Sequence, residues 1–162
     1  MSTGMQQLAL PDHGVKLKQE AGAVLLFDPL RRRWVVATPE EWVRQHFLNH
    51  LVHDLGYPPG RIAVEHGLKL NGRGQRTDAL VFDARGLPLL LLECKAPQVA
   101  ITQRTFDQVG RYNSVFHVQY LMVTNGSLHF CCRLGPQEGT FDFLPELPRY
   151  AQLEQPGGNV TS

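Results

Sequence analysis

Cysteine is scarce: Cys94, Cys131 and Cys132 are the whole complement, an odd number with no C-x-x-C spacing. This fits a reducing compartment, argues against a zinc ribbon and leaves the three thiols as small apolar residues for a core. Long apolar runs are missing too. A run such as Leu89 to Leu92 behind Pro88 is far short of a membrane span, and the N-terminus has no charged-then-apolar signal pattern. The expectation is a cytoplasmic protein without membrane contact. Nor is one sign of charge in excess: sixteen Lys and Arg against fifteen Asp and Glu leave +1. No global field therefore draws the chain to a polyanion, and any nucleic-acid contact must rest on a local patch. Arg31-Arg32-Arg33 and the loop Arg73 to Arg76 are candidates, although a solvated turn explains either run as well. Internal repeats and low-complexity segments are absent.

What remains is ordinary globular composition, 43% hydrophobic and 19% charged over 162 residues, enough for one domain with a sizeable core. Residues 15–150 are expected to form it, between a frayed N-terminus (1–14) and a flexible tail (151–162). Ala23 to Phe27 and Trp34 to Ala37 read as strands around Asp28-Pro29. Thr38-Pro39-Glu40-Glu41 is a helix start, with Thr38 as cap, Pro39 at the first helical position and Glu41 closing a T-x-x-E box. The helix is expected to run to about Leu55 and stop at Gly56. Val43, Phe47, Leu48, Leu51, Val52 and Leu55 form its apolar face, with Arg44 near the middle of that face. His46, His50 and His53 fall on the other side, where a solvated polar face is expected in preference to a metal site.

Ile62 to Leu70, Thr77 to Asp83 and Leu89 to Lys95 read as strands, with a turn at Asn71 to Gly74. A second helix is expected from Thr102 to about His117. Tyr120 to Thr124 and Leu128 to Cys132 flank Asn125-Gly126, a two-residue hairpin signal. Strands and helices alternate around a central hairpin, so the predicted class is α/β, a mixed sheet covered by helices.

That hairpin carries the chemistry. If its strands pair through Ala84 to Leu87, Asp83 faces Pro88, and counting back sets Asp78 opposite Glu93. The two carboxylates share a face at roughly 5 Å, where like charges repel unless a divalent metal lies between them. Period-two alternation puts Lys95 on the face of Glu93 and Cys94 on the other. Hard oxygen donors suit Mg²⁺ or Mn²⁺, and a lysine beside them can orient a water or stabilise charge on a phosphoryl group. The alternative is a strand-end ion-pair cluster.

These residues resemble the PD-(D/E)xK nuclease signature, and their surroundings narrow it. Thr38-Pro39-Glu40-Glu41 with Arg44-Gln45, Arg76-Thr77-Asp78, Glu93-Cys94-Lys95-Ala96-Pro97, Gln108 with Tyr112 and Asn113, and Thr124-Asn125-Gly126 together resemble the N-terminal nuclease domain of type I restriction enzyme R subunits, in its short stand-alone Bacteroidetes-type form. The resemblance spans roughly Lys16 to Tyr150 and implies a restriction-endonuclease-like mixed central sheet flanked by helices. It implies Asp78 and Glu93 as ligands of Mg²⁺ or Mn²⁺, Lys95 as catalytic lysine and Glu41 as an additional acid and metal ligand, or else a capping residue only. Gln108 and Tyr112 match a Q-x-x-x-Y motif of nucleases coupled to helicases; their spacing puts both on one helical face, and a core tyrosine beside a surface glutamine is the plainer reading. Nucleic-acid contacts are expected from Tyr112, Arg73, Arg76 and Arg44. The implied substrate is DNA, with a helicase, methyltransferase or other defence or repair protein as partner. Thr77 stands where the signature has proline. No G-x-x-x-x-G-K-[ST] loop occurs in the 162 residues, so these residues carry no motor.

Overall fold

The computed structural model describes residues 5–65, 67–70, 73–137 and 139–153, and for 67–70, 73–76 and 112–115 the backbone alone. Strands β1 (Leu17–Glu20), β2 (Ala23–Asp28) and β3 (Arg33–Val36) form an antiparallel sheet in that order. Ala21 and Gly22, at φ 52° and 81°, make the tight turn between β1 and β2, a conformation that matches the twist of a hairpin. β1 was not anticipated, because Leu-Lys-Gln-Glu has little β propensity of its own and is recruited by pairing.

Helix α1 (Pro39–His53) begins as its sequence dictates: Thr38 Oγ1 accepts the Glu41 N–H at 3.0 Å, and Pro39 occupies the first turn. It ends at an Asp54 cap before Gly56, whose φ of 76° suits only glycine comfortably. Val43, Phe47, Leu48 and Leu51 are buried on its inner face. The histidine face is not uniformly solvated. His46 is 5% exposed, edge-on to Trp42 with ring centroids 4.2 Å apart, while His50 and His13 both bind Asp54 Oδ2, at 2.7 and 2.8 Å. The reason is the N-terminal segment, which does not fray over residues 6–13. Its Leu8 and Leu10 pack on the core, the Ala9 N–H donates to the Gly126 carbonyl at 2.8 Å, and Trp42 Nε1 donates to the Gln6 carbonyl at 2.7 Å.

A 3₁₀ turn (Pro59–Arg61) leads into β4 (Ile62–Val64). The single strand expected over Ile62 to Leu70 is instead two, because Glu65 adopts φ 55° and turns the chain. β5 (Gly67–Leu70) then pairs with β6 (Arg73–Arg76), where a turn was expected, as a separate antiparallel ribbon. Next come β7 (Ala79–Phe82), β8 (Pro88–Cys94), α2 (Gln103–Phe116), β9 (Tyr120–Thr124), β10 (His129–Leu134), β11 (Phe141–Phe143) and the short α3 (Tyr150–Leu153). The main sheet runs β11-β10-β9-β8-β7-β4, with β8 and β9 parallel through the α2 crossover and the other pairs antiparallel. The β9–β10 connection is longer than the two residues anticipated: Thr124 pairs with His129, and Asn125 Oδ1 accepts from Ser127 and Leu128 N–H at 3.0 and 2.9 Å. Asn125 thus braces the loop with its side chain rather than taking a turn position. The residues after 150, expected as tail, continue as α3 to Leu153, with Tyr150 and Leu153 buried.

α1 covers one face of the sheet, over Leu90, Leu92, Cys94 and Met122. α2 covers the other, through Phe106 and Val109 over Leu91, Leu121 and Val123. All three cysteines are free and buried. The architecture is the restriction-endonuclease-like α/β arrangement, a six-stranded mixed sheet between helices. Among the described residues no helix is long and apolar enough to cross a membrane.

Candidate active site

β7 and β8 pair Ala79 with Leu92 and Leu80 with Leu91, a register that carries Asp78 opposite Glu93 one step beyond. The loop end departs from simple counting, because a bulge after Val81 pairs Phe82 with Pro88. It lies at the far end and leaves the carboxylates aligned. Alternation sends Leu90, Leu92 and Cys94 toward α1 and Leu91 toward α2. Lys95 stays with Glu93, Nζ to Oε2 at 3.2 Å.

Asp78 is held from two sides. Its Oδ2 accepts the Cys94 N–H at 2.7 Å, and its Oδ1 meets Arg44 Nη1 at 3.1 Å. Burial and the neighbouring Glu93 charge nevertheless push its carboxyl up to about 7, against the pull of the Cys94 N–H and Arg44. Cys94 itself is held well above the ordinary thiol range, by burial first and by Asp78 next, so it is no nucleophile. At Lys95 partial burial disfavours the charge, but Glu93 outweighs it and the ammonium is held above its ordinary value. It acts near neutral pH as a cation and donor.

Arg44 is not a solvent-facing contact for nucleic acid. It is 5% exposed, and its guanidinium joins Glu41 Oε1 at 2.8 Å, Glu65 Oε1 at 3.2 Å and Asp78. Arg31, from the β2–β3 turn, enters the same network. It meets Asp28 through Nε, Glu41 Oε1 at 2.8 Å and Glu65 Oε2 at 3.3 Å. Neither a solvated turn nor a surface patch describes it. Among the described residues the Glu41 side chain closes no capping box: both its oxygens are taken, Oε1 by the two arginines and Oε2 by Arg44 Nε at 3.2 Å and Gln45 Nε2 at 3.3 Å. Two guanidiniums outcompete any grouping with Asp78 and Glu93, so the expected set Asp78, Glu93 and Glu41 does not converge. Among the described residues no three His, Cys, Asp or Glu side chains do.

The acid of the first helical turn that reaches the pair is Glu40. It is exposed beside Asp78 and Lys95, and its carboxyl is raised by partial burial first and by Asp78 next. Glu65 is the other acid that sequence reasoning missed. Its signal was a charge interrupting the apolar run of β4, and its N–H donates to the Asp78 carbonyl at 2.8 Å. Within the described residues, six carboxylates (Asp28, Glu40, Glu41, Glu65, Asp78, Glu93) meet three cations, Arg31, Arg44 and Lys95. Of these, Asp78 and Glu93 are the neighbouring pair whose oxygen chemistry would suit a divalent cation. Gln108 is exposed on α2 and is not joined to this network among the described residues. The side chains of Tyr112, Arg73 and Arg76 lie outside the described set.

A groove of about 680 Å³ opens beside the site, walled by Arg33, Val36, Glu40, Arg44, Ala96 and Gln98 among others. A search of the curated proteins returns no match. The family model described as type I restriction enzyme R protein N terminus (HSDR_N) matches residues 39–148, from the first turn of α1 through the carboxylate pair to the segment before α3. The chain therefore belongs to the type I restriction enzyme R protein N-terminal family, a nuclease-like domain.

Proposed function

We propose that the domain hydrolyses DNA phosphodiester bonds with Mg²⁺ or Mn²⁺. The observation that carries this reading is Asp78 beside Glu93, one step beyond the Ala79–Leu92 pair, with the Lys95 ammonium 3.2 Å from Glu93, near a groove walled by Glu40 and Arg44. Asp78 and Glu93 would hold the divalent ion, whose chemistry would be to acidify a water and to offset charge on the phosphate. Arg44 and the Cys94 N–H fix the plane of the Asp78 carboxylate. Lys95 donates to the attacking water or to a phosphoryl oxygen as charge builds there. Glu40 stands where it can take a proton or a metal-bound water at the mouth.

Supercoiled plasmid and linear strands incubated with Mn²⁺ test the reading. Nicking that stops in EDTA and falls by about 10² or more in Lys95→Ala is expected. Cleavage in excess EDTA, or full activity of Lys95→Ala, contradicts it. A second reading, a binding module on the same fold, is favoured by one observation: Arg31 and Arg44 already pair with Glu41, and Arg44 with Asp78. It predicts stoichiometric binding without product in either metal. A helicase or methyltransferase as partner belongs to the same proposal and is tested by co-purification.

A further inference from the structure

The sheet β1-β2-β3 precedes residue 39, where the family match begins, yet it forms part of the groove wall through Arg33, Val35 and Val36. Its two faces differ sharply. The inner face buries Leu26 and Asp28 completely. The register aligns two rows on the outer face. Lys18, Leu25 and Val36 form one row; Lys16, Phe27 and Trp34 form the other, closed by the Phe27 N–H to the Lys16 carbonyl at 3.0 Å. Trp34 is 37% exposed and Val36 55%, both on an edge strand. The ring of Trp34 rests edge-on against Phe27 at 5.4 Å, and Lys18 Nζ lies 4.4 Å from its centroid. Lys18 is also 3.1 Å from Glu20, an exposed pair of little energetic weight.

We infer that this outer face binds a single nucleic-acid strand next to the cleft, with a base stacked on Trp34 and phosphates taken by Lys16 and Lys18. The inference rests on the nuclease reading for what lies beyond the groove. Charge complementarity selects the occupant. Two lysines along one side of an aromatic and apolar strip match a polyanion with flat apolar bases, and exposed Arg32 in the β2–β3 turn adds positive charge nearby. An unpaired strand offers those bases, whereas a duplex hides them and presents phosphate alone. A base displaces the Lys18 ammonium from the indole at little cost, because an exposed cation–π contact is weaker than base stacking, and the freed ammonium gains a phosphate. The near-neutral net charge of +1 then suits a protein that grips its strand by stacking as well as by charge. From Val36 the chain enters α1 within three residues, so a strand on this face runs toward Glu40.

The test reads Trp34 fluorescence in EDTA, in a Trp42→Phe background, while oligothymidylate, oligouridylate or a duplex is added. Quenching by either single strand is expected, with affinity falling as salt rises and less steeply so in Lys16→Gln and Lys18→Gln. Trp34→Leu should bind roughly tenfold more weakly by anisotropy and Trp34→Phe should restore most of the loss; Leu keeps the apolar surface of the sheet, so a general packing role predicts the opposite order. Unchanged affinity in Trp34→Leu, equal binding of duplex, or no binding of either strand overturns the inference. Because EDTA removes cleavage from the assay, the two readings fail separately. Strand binding without metal-dependent cleavage sinks only the nuclease, and cleavage without binding at Trp34 sinks only this face.

Discussion

At Asp78 two influences oppose each other: Arg44 and the Cys94 N–H favour the carboxylate, while burial and Glu93 favour the neutral acid and win, holding it at about 7. An unfolded aspartate titrates near ~4. The folded state therefore holds an extra proton between these values, and the resulting stabilisation is complete below the unfolded pKa and lost as pH rises through the folded one. In EDTA, the melting temperature of Asp78→Asn relative to wild type should rise steadily from pH 4 to 8, equivalent to ~1–3 kcal/mol. A pH-independent difference between the two melts would mean that Glu93 does not crowd Asp78. Much of this residue-scale picture is legible in the sequence, since strand alternation and one hairpin count suffice to oppose Asp78 to Glu93 and add Lys95. What could not be read was Arg31, Glu40 and Glu65. Their roles depend on where the β2–β3 turn and the left-handed turn at Glu65 meet α1, and no local pattern encodes that meeting.

The elements that meet there are joined by charge as well as by apolar contact. α1 contributes Glu41 and Arg44, the β2–β3 turn Arg31, and the end of β4 Glu65. Arg44 is itself 5% exposed, and Arg44→Ala would take from Asp78 the cation it meets and leave Glu41 and Glu65 to Arg31, which should cost about 3–5 kcal/mol in urea unfolding. A cost under ~1 kcal/mol would instead mark a surface arginine. At the other scale of effect, Thr38→Ala removes the Oγ1 acceptor for Glu41 N–H and should cost about 1 kcal/mol. Element types over α1, α2 and the central strands follow from their periodicity and caps. The strands that were not expected at β1 and β6 share a cause: Leu-Lys-Gln-Glu and Arg-Gly-Gln-Arg are short and polar or glycine-bearing, and pair because a neighbour offers hydrogen bonds.

Across the whole molecule, the N-terminal segment closes one side of the core. Its Leu8 lies against Gly126, as does Val43, and neither ring nitrogen of buried His46 has a hydrogen-bond partner among the described residues, so burial holds that imidazole below its ordinary pKa. Removing residues 1–13 should return the His46 pKa, followed by NMR, toward about 6.5 and lower the melting temperature; an unchanged titration would mean that the segment does not cover the ring. The polar and small residues of this stretch carry no periodicity, so its docking was not legible in advance. The central claim, that Asp78 and Glu93 hold a divalent ion, is tested most directly by thermal melts of wild type and Asp78→Asn in EDTA and in Mn²⁺. Wild type should gain roughly 2.7 kcal/mol at a hundredfold excess over its dissociation constant, and Asp78→Asn should lose most of that gain. A wild type indifferent to Mn²⁺, together with an Asp78→Asn variant less stable than wild type in EDTA at pH 8, would contradict the account and leave the cluster as an ion-pair network alone.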